Sequence, residues 1–273
     1  MTSQEIYFES LGEGPPLLAI PGLGLSGGAL RELLETVSRV RNVVLIDPPG
    51  SGNSPRWSSP LSSDSACDFV LKVMDDLSIE SADFVGLSMG GMVTQEMLIR
   101  HPARVRSAVL LSTLGRHTEW SRRVYEFRRE LLRVSPALHF NVSTLLLFDP
   151  SSISAHVGLY ESLLEGMRGG DVDVEGYADQ LEFFIQHNAL ERLKGVTHRV
   201  LIVSGESDLL SPKEAALDLG AGLEASQVLM VPGSGHALWL QHPGVVGKAI
   251  MDFIGRTTQR HETGSPELPG RNA

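Results

Sequence analysis

Short apolar runs alternate with longer amphipathic stretches along the first 111 residues of the chain. The runs have the length of buried strands, and most are followed by a glycine- or proline-rich loop and then by apolar side chains at helical spacing. We predict strands at residues 6–10, 16–20, 42–46, 83–85 and 105–111, and helices at residues 29–39 and 63–77 and after residue 88. Such alternation is typical of parallel β-α-β units, so we expect an α/β fold: a mostly parallel central sheet with helices on both faces.

The alternation stops after residue 114. The next segment, residues 115–193, shows helical periodicity only, and strands return near residues 199–203 and 227–231. A helical insertion between two sheet-forming parts predicts a lid over one end of the sheet. We therefore divide the chain into a core at residues 1–114 and 194–255, a helical lid at residues 115–193, and a polar tail at residues 256–273 that we expect to be disordered.

A serine occupies the predicted turn between the strand at residues 83–85 and the helix after it. The sequence there is Gly86-Leu87-Ser88-Met89-Gly90, which matches Gly-x-Ser-x-Gly. Between a strand and a helix this motif exposes the serine hydroxyl on a strained turn, and the glycines allow close approach of neighbouring backbone. A plain glycine-rich turn would have the same pattern, so a catalytic interpretation requires partners for Ser88.

Two loops in the second half of the chain contain suitable partners. A histidine can accept the serine proton, and a carboxylate can hold that histidine in the useful tautomer. Asp208 and His236 each follow a predicted strand, where ligand sites of open α/β sheets collect, so Ser88, Asp208 and His236 are our candidate catalytic residues. Glu206 is the competing acid and ranks lower, because it is closer to the strand end. Asp208 as a helix N-cap and His236 as a surface histidine remain the structural alternatives.

Hydrolysis through a serine also requires N–H donors for the oxyanion that forms during attack. The Met89 N–H, directly after the serine, is one candidate. The second is expected from the glycine-rich loop after the strand at residues 16–20. We choose the Leu23 N–H there, with Gly24 as the alternative.

These motifs together resemble the α/β-hydrolase superfamily, over nearly the whole chain up to about residue 255. They occur in the family's order: the oxyanion loop at residues 20–24, an Asp-x-x-Gly-x-Gly-x-Ser loop at residues 47–54, the serine turn, and the acid and histidine loops at residues 205–212 and 233–243. The resemblance implies an α/β-hydrolase fold with a helical lid and a Ser-His-Asp triad. Around Ser88 the chain is most similar to 3-oxoadipate enol-lactonases and related serine esterases.

Two positions depart from the family pattern. Pro21 replaces the usual histidine of the oxyanion loop and offers no side-chain hydrogen bond. Gln241 stands where a glutamate often follows the catalytic histidine, and we expect this change to affect loop anchoring more than chemistry.

The leading hypothesis is therefore a serine hydrolase that cleaves a small ester or a lactone through an acyl-enzyme. The same triad would also serve carbon–carbon bond hydrolysis, perhydrolysis or acyl transfer. A ligand-binding receptor on a hydrolase fold is the alternative outside enzymology. Composition does not separate these hypotheses.

Composition and charge do exclude other classes. The net charge of −10 gives no support for nucleic-acid binding. No apolar run reaches the roughly 20 residues of a membrane span, and the N-terminus lacks the pattern of a signal peptide. Cys67 is the single cysteine, so no intrachain disulfide can form, which fits a cytoplasmic location. Because cysteine and histidine residues show no zinc spacing, we expect no metal and no cofactor; the oligomeric state is left open.

The predicted lid has two groups of side chains that a substrate could meet. Its apolar members are candidates to roof an acyl pocket, although packing among themselves is the stronger expectation: Trp120, Phe127, Leu145, Phe148, Leu181, Phe183 and Phe184. Four arginines, at positions 122, 123, 128 and 129, could attract a carboxylate substrate. Such a run is more often a solvated helix face, so neither group enters the list of site residues.

Overall fold

Seven strands form one sheet in the order β1-β3-β2-β4-β5-β6-β7, and β1 alone runs antiparallel to its neighbour. The structure, a computed structural model, describes residues 5–168 and 172–262, with side chains for residues 5–166 and 172–255. The strands are β1 (Phe8–Leu11), β2 (Pro16–Ile20), β3 (Asn42–Ile46), β4 (Ala82–Leu87), β5 (Val105–Leu111), β6 (Arg199–Gly205) and β7 (Ser226–Val231). The predicted, mostly parallel sheet is confirmed.

Helices cover both faces of this sheet. They are α1 (Arg31–Ser38), α2 (Asp68–Asp76), α3 (Met89–Arg100), α4 (Glu119–Val134), α5 (Pro136–Leu146), α6 (Val157–Arg168), α7 (Val174–Gln186), α8 (Lys213–Ala221), α9 (Leu238–Gln241) and α10 (Pro243–Glu262). Alternate strand residues enter two separate cores, because successive side chains of a strand point to opposite faces. Leu18 and Ile20 pack with α2, α3 and α8, whereas Leu17 and Ala19 pack with α1 and α10.

The helical insertion, which we define as α4 to α7, lies between β5 and β6, where the periodicity predicted helices. Three helices in the last part of the chain, α8 to α10, were not predicted. The helix α10 continues to Glu262, so residues 256–262, which we assigned to a disordered tail, are helical. The apolar face of residues 246–254 packs in the core and stabilises this part of the helix. Adding further residues to an existing helix is then favourable. Residues 263–273, the rest of the predicted tail, lie outside the described residues.

A buried polar cluster joins the end of the insertion to the core. His187, directly after α7, donates from Nε2 to Oε1 of Gln95 on α3 at 3.0 Å. The neighbouring Glu96 is also fully buried and accepts hydrogen bonds from Arg100 and Arg192. Burial lowers the pKa of His187 to about 3, so its ring is neutral in the folded protein near pH 7.

We expect acid to destabilise the fold through His187. An imidazole in the unfolded chain titrates near pH 6.5, so the unfolded state binds one more proton than the folded state between about pH 6.5 and pH 3. Above that range, the protonation of His187 does not change the stability with pH. As the pH falls through the range, the free energy of unfolding decreases. Lowering the pH from 7 to 5 should remove about 2 kcal/mol through this residue, measured by urea denaturation.

The variant His187→Gln tests the assignment, because glutamine does not titrate. Its free energy of unfolding should change less between pH 7 and pH 5 than that of the unmodified protein. His198→Gln is the matched control, since His198 is partly exposed, and this variant should keep the loss of stability that His187 causes. Equal pH dependence in His187→Gln and the unmodified protein would contradict the prediction.

Candidate active site

Ser88 lies on a strained turn between β4 and α3. Its backbone has φ 52° and ψ −110°, a conformation that residues with a side chain rarely adopt. The flanking glycines explain why the turn can form. A Cβ atom on Gly86 would clash with the carbonyl oxygen of Gly90, and one on Gly90 would clash with that of Ile20. The Ser88 N–H donates to the carbonyl of Leu111 at 2.8 Å, which holds the turn against β5.

The structure brings Ser88, His236 and Asp208 into one hydrogen-bonded chain. His236 Nε2 lies 3.0 Å from Ser88 Oγ, and His236 Nδ1 lies 2.8 Å and 3.0 Å from the two carboxylate oxygens of Asp208. An ionised Asp208 accepts the Nδ1 proton, so Nε2 is free to accept the proton of the serine hydroxyl. All three side chains are buried. Glu206, the competing acid, is exposed and makes no hydrogen bond to His236.

Backbone contacts hold the acid and the histidine loops in place. Asp208 Oδ1 also accepts the N–H groups of Leu210 and Ser211, both at 2.8 Å, in the manner of a helix cap. Gln241 Oε1 accepts the Gly235 N–H at 3.1 Å, directly before His236. Gln241 therefore helps to anchor this loop.

Two residues after β5 support the site and were missed in the sequence. Ser112 Oγ donates to the carbonyl of His236 at 2.8 Å, and Thr113 Oγ1 donates to that of Ser88 at 2.7 Å. Both follow the strand next to β4, so their position at the same sheet edge was the available signal. Their residue types are too common in loops to have singled them out.

Two backbone N–H groups beside Ser88 have no hydrogen-bond partner among the described residues. They belong to Leu23 and Met89, the two predicted oxyanion donors. The alternative donor, Gly24, is occupied, because its N–H donates to Gln180 Oε1 at 2.9 Å. This arrangement favours Leu23 over Gly24.

Gln180, on α7, supplies an anchor that Pro21 cannot provide. Besides holding Gly24, it donates from Nε2 to the carbonyl of Pro49 at 2.8 Å and to Ser51 Oγ at 2.9 Å. One buried amide of the helical insertion thus connects the oxyanion loop to the loop at residues 47–54. No sequence pattern indicated this role, because a glutamine inside an amphipathic helix is ordinary.

A small cavity opens beside Ser88, between the sheet edge and the helical insertion. Its volume is about 40 Å³, room for a few water molecules. The insertion contributes Tyr125, Arg128, Ser143, Leu147, Leu163 and Tyr177 to its lining. The seven apolar side chains considered as a roof do not line it. Trp120, Phe127 and Leu145 are about half exposed, and the other four side chains are buried in the two cores beside the sheet.

The four arginines of α4 separate into two kinds. Arg122, Arg123 and Arg129 form ion pairs with glutamates of the insertion and are at least partly exposed, as a solvated face would be. Arg128 is buried and lines the cavity. The described residues include no group of three metal-ligating side chains, and none of the helices formed by them is long and apolar enough to cross a membrane.

Comparisons with known proteins agree with this fold. A family model described as the α/β-hydrolase fold matches residues 15–136. The chain is 26% identical over 256 residues to the putative carbamate hydrolase RutD of Azorhizobium caulinodans, covering 93% of this chain and 97% of that protein.

Solved structures give the same result. The enol-lactonase from Burkholderia xenovorans LB400 has a TM-score of 0.85 at 22% identity and covers 93% of this chain and 98% of its own. A thermophilic esterase from Thermogutta terrifontis has a TM-score of 0.84 at 21% identity, covering 94% of this chain and 96% of its own.

The family model and the curated relative indicate an enzyme of the hydrolase class. The family model and the RutD relative support the predicted α/β-hydrolase family, and the similar structures confirm the predicted fold. An enol-lactonase and an esterase are among the similar structures, in line with the similarity around Ser88.

Proposed function

We propose that this protein is a serine hydrolase that cleaves a small ester or a lactone through an acyl-enzyme. The observation that carries the proposal is the hydrogen-bonded chain from Ser88 Oγ to His236 Nε2, 3.0 Å, and from His236 Nδ1 to Asp208 Oδ2, 2.8 Å. This geometry supports general-base activation of a serine that would otherwise be a weak nucleophile.

In the proposed reaction, Ser88 Oγ attacks the substrate carbonyl carbon while His236 Nε2 accepts the hydroxyl proton. The Leu23 and Met89 N–H groups donate to the oxyanion of the tetrahedral intermediate. The C–O bond to the alcohol then breaks, and His236 gives its proton to the departing oxygen. A water molecule that His236 deprotonates releases the acid from Ser88, and Asp208 stays ionised throughout.

The helical insertion serves as the lid of this site, because it supplies one wall of the cavity and, through Gln180, anchors the oxyanion loop. A buried free thiol at Cys67, the single cysteine, suits an enzyme of the reducing cytoplasm. Carbamates are the second substrate class, favoured by the 26% identity to a putative carbamate hydrolase. They require the same attack on a carbonyl carbon.

Labelling and turnover test the proposal together. We expect a fluorophosphonate to add to the folded protein once per chain, with the adduct on the peptide that contains Ser88, and not to add to Ser88→Ala or to the unfolded protein. Short esters, lactones and carbamates should then be compared in one panel, followed by release of acid or alcohol. Including hydrogen peroxide and alcohols as acceptors separates hydrolysis from perhydrolysis and acyl transfer.

Failure of the labelling would contradict the proposed nucleophile. Ligand binding without labelling and without turnover would instead favour a receptor on this fold. Turnover of a diketone in preference to every ester would point to carbon–carbon bond hydrolysis with the same residues.

A further inference from the structure

The cavity beside Ser88 contains a buried cation without a counter-ion. Arg128, on α4, is 4% exposed and lines the same cavity as Ser88 and His236. Among the residues that the structure describes, no carboxylate lies within ion-pair distance of its guanidinium. Removing a charge from water without a partner is strongly unfavourable, so such a residue calls for an explanation.

Neutral groups hold the Arg128 side chain in one position. Nε donates to Ser143 Oγ at 3.0 Å and Nη2 donates to the Tyr177 hydroxyl at 2.8 Å. The guanidinium carbon lies 4.7 Å from the centre of the Tyr125 ring, a cation–π contact. The described residues provide no acceptor for Nη1, so this end of the guanidinium is available to a ligand.

The histidine next to this arrangement supplies no negative charge either. His139 Nδ1 lies 2.7 Å from the Arg128 carbonyl oxygen and its Nε2 lies 2.9 Å from the Tyr177 hydroxyl. Burial and the charge of Arg128 lower the pKa of His139 to about 4, so the ring is neutral near pH 7. His139 therefore donates to the carbonyl and accepts from Tyr177, which leaves the Tyr177 oxygen to accept from Arg128.

Asp208, the carboxylate of the proposed triad, already has hydrogen-bond partners. Asp208 is bound to His236 and to the N–H groups of Leu210 and Ser211. Trp239 also lines the cavity, and the described residues offer no acceptor for its buried indole N–H. Arg128 therefore gives this mostly apolar cavity a positive charge that is suited to an incoming anion.

We propose that Arg128 binds a carboxylate of the substrate, so that this enzyme prefers small esters or lactones that carry a free carboxylate. The proposal rests on the serine-hydrolase function argued above. A planar guanidinium matches a carboxylate in geometry, and the ligand would provide the counter-ion that the chain lacks. The small size of the cavity favours compact substrates.

Two matched pairs of esters test the preference. Methyl butyrate and monomethyl succinate differ only in that a carboxylate replaces the terminal methyl group of the acyl chain. Propyl acetate and 3-acetoxypropanoate differ in the same way on the alcohol side. In one of the two pairs we expect the charged member to have a kcat/KM about 10-fold to 100-fold higher, as for a charge-assisted hydrogen bond.

The variant Arg128→Met removes the charge and should largely abolish this preference. Its loss of kcat/KM on the charged ester should exceed its loss on the neutral ester by about 10-fold or more, mainly through KM. Arg128→Lys, which keeps the charge without the planar fork, should retain part of the preference. Arg123→Met is the matched control on the same helix, since Arg123 is exposed, and should leave both kcat/KM values unchanged.

A protection assay makes the test independent of turnover and of the folding of any one variant. Butanoate should slow labelling of Ser88 by a neutral fluorophosphonate, the isosteric butanamide should not, and Arg128→Lys should weaken the protection. Equal kcat/KM within both ester pairs, or equal protection by butanoate and butanamide, would overturn the carboxylate site while leaving the hydrolase function intact. Absence of both labelling and turnover would instead overturn the function on which it rests.

Discussion

Replacing Ser88 by alanine is expected to lower kcat/KM for ester hydrolysis by about 10⁴-fold or more. The change removes the oxygen that would form the acyl-enzyme, so His236 has no proton to accept from the protein. The cavity and the N–H groups of Leu23 and Met89 remain. The expected residual rate is therefore that of water attack in a site that still binds the substrate and stabilises an oxyanion.

Stability measurements on Ser88→Ala separate lost chemistry from lost structure. Alanine meets the same backbone strain at φ 52° as serine does, so the thermal midpoint should stay close to that of the unmodified protein. Substrate binding to the variant should persist. A folded Ser88→Ala protein that keeps its activity would contradict the assigned role.

Replacing Asp208 by asparagine is expected to lower kcat by about 10³-fold to 10⁴-fold. The amide oxygen can still accept the N–H groups of Leu210 and Ser211, so the loop should keep its conformation. The amide NH₂ group, turned towards His236, favours the tautomer whose proton is on Nε2. That tautomer cannot accept the proton of Ser88. Steady-state kinetics on a short ester measures the loss.

Glu206→Gln is the matched control for this change. Glu206 precedes Asp208 by two positions in the same loop, but it is exposed and makes no hydrogen bond to His236. Its kcat should remain within about twofold of the unmodified enzyme, as is usual for surface substitutions. A larger loss of kcat in Glu206→Gln than in Asp208→Asn would show that Asp208 is not the acid of the triad.

The strands were predictable because their signal is local. A buried parallel strand is a short apolar run between turn residues, and all seven strands lie at or within a few residues of their predicted positions. Helices were less well predicted where their apolar face is short or interrupted. The helix predicted at residues 63–77 begins only at Asp68, and α8, α9 and α10 went unpredicted.

The approach of Ser88, Asp208 and His236 was also foreseeable from strand ends. Parallel strands end at the same edge of a sheet, and the three residues follow β4, β6 and β7. The choice of Asp208 over Glu206 and of Leu23 over Gly24 is supported by side-chain contacts that only the tertiary structure shows. It depends on which carboxylate points towards His236 and on which N–H group Gln180 already occupies.

By itself, the sequence determined the seven strands, the helical insertion between β5 and β6, the strained serine turn and the three chemical groups at the strand ends. Each of these depends on residues close together in the chain. Only the tertiary structure decided that Gln180 anchors the oxyanion loop and that Arg128, among four similar arginines, is buried in the cavity. The physical reason is that burial and charge pairing depend on which neighbours pack against a helix face, and those neighbours come from distant parts of the chain.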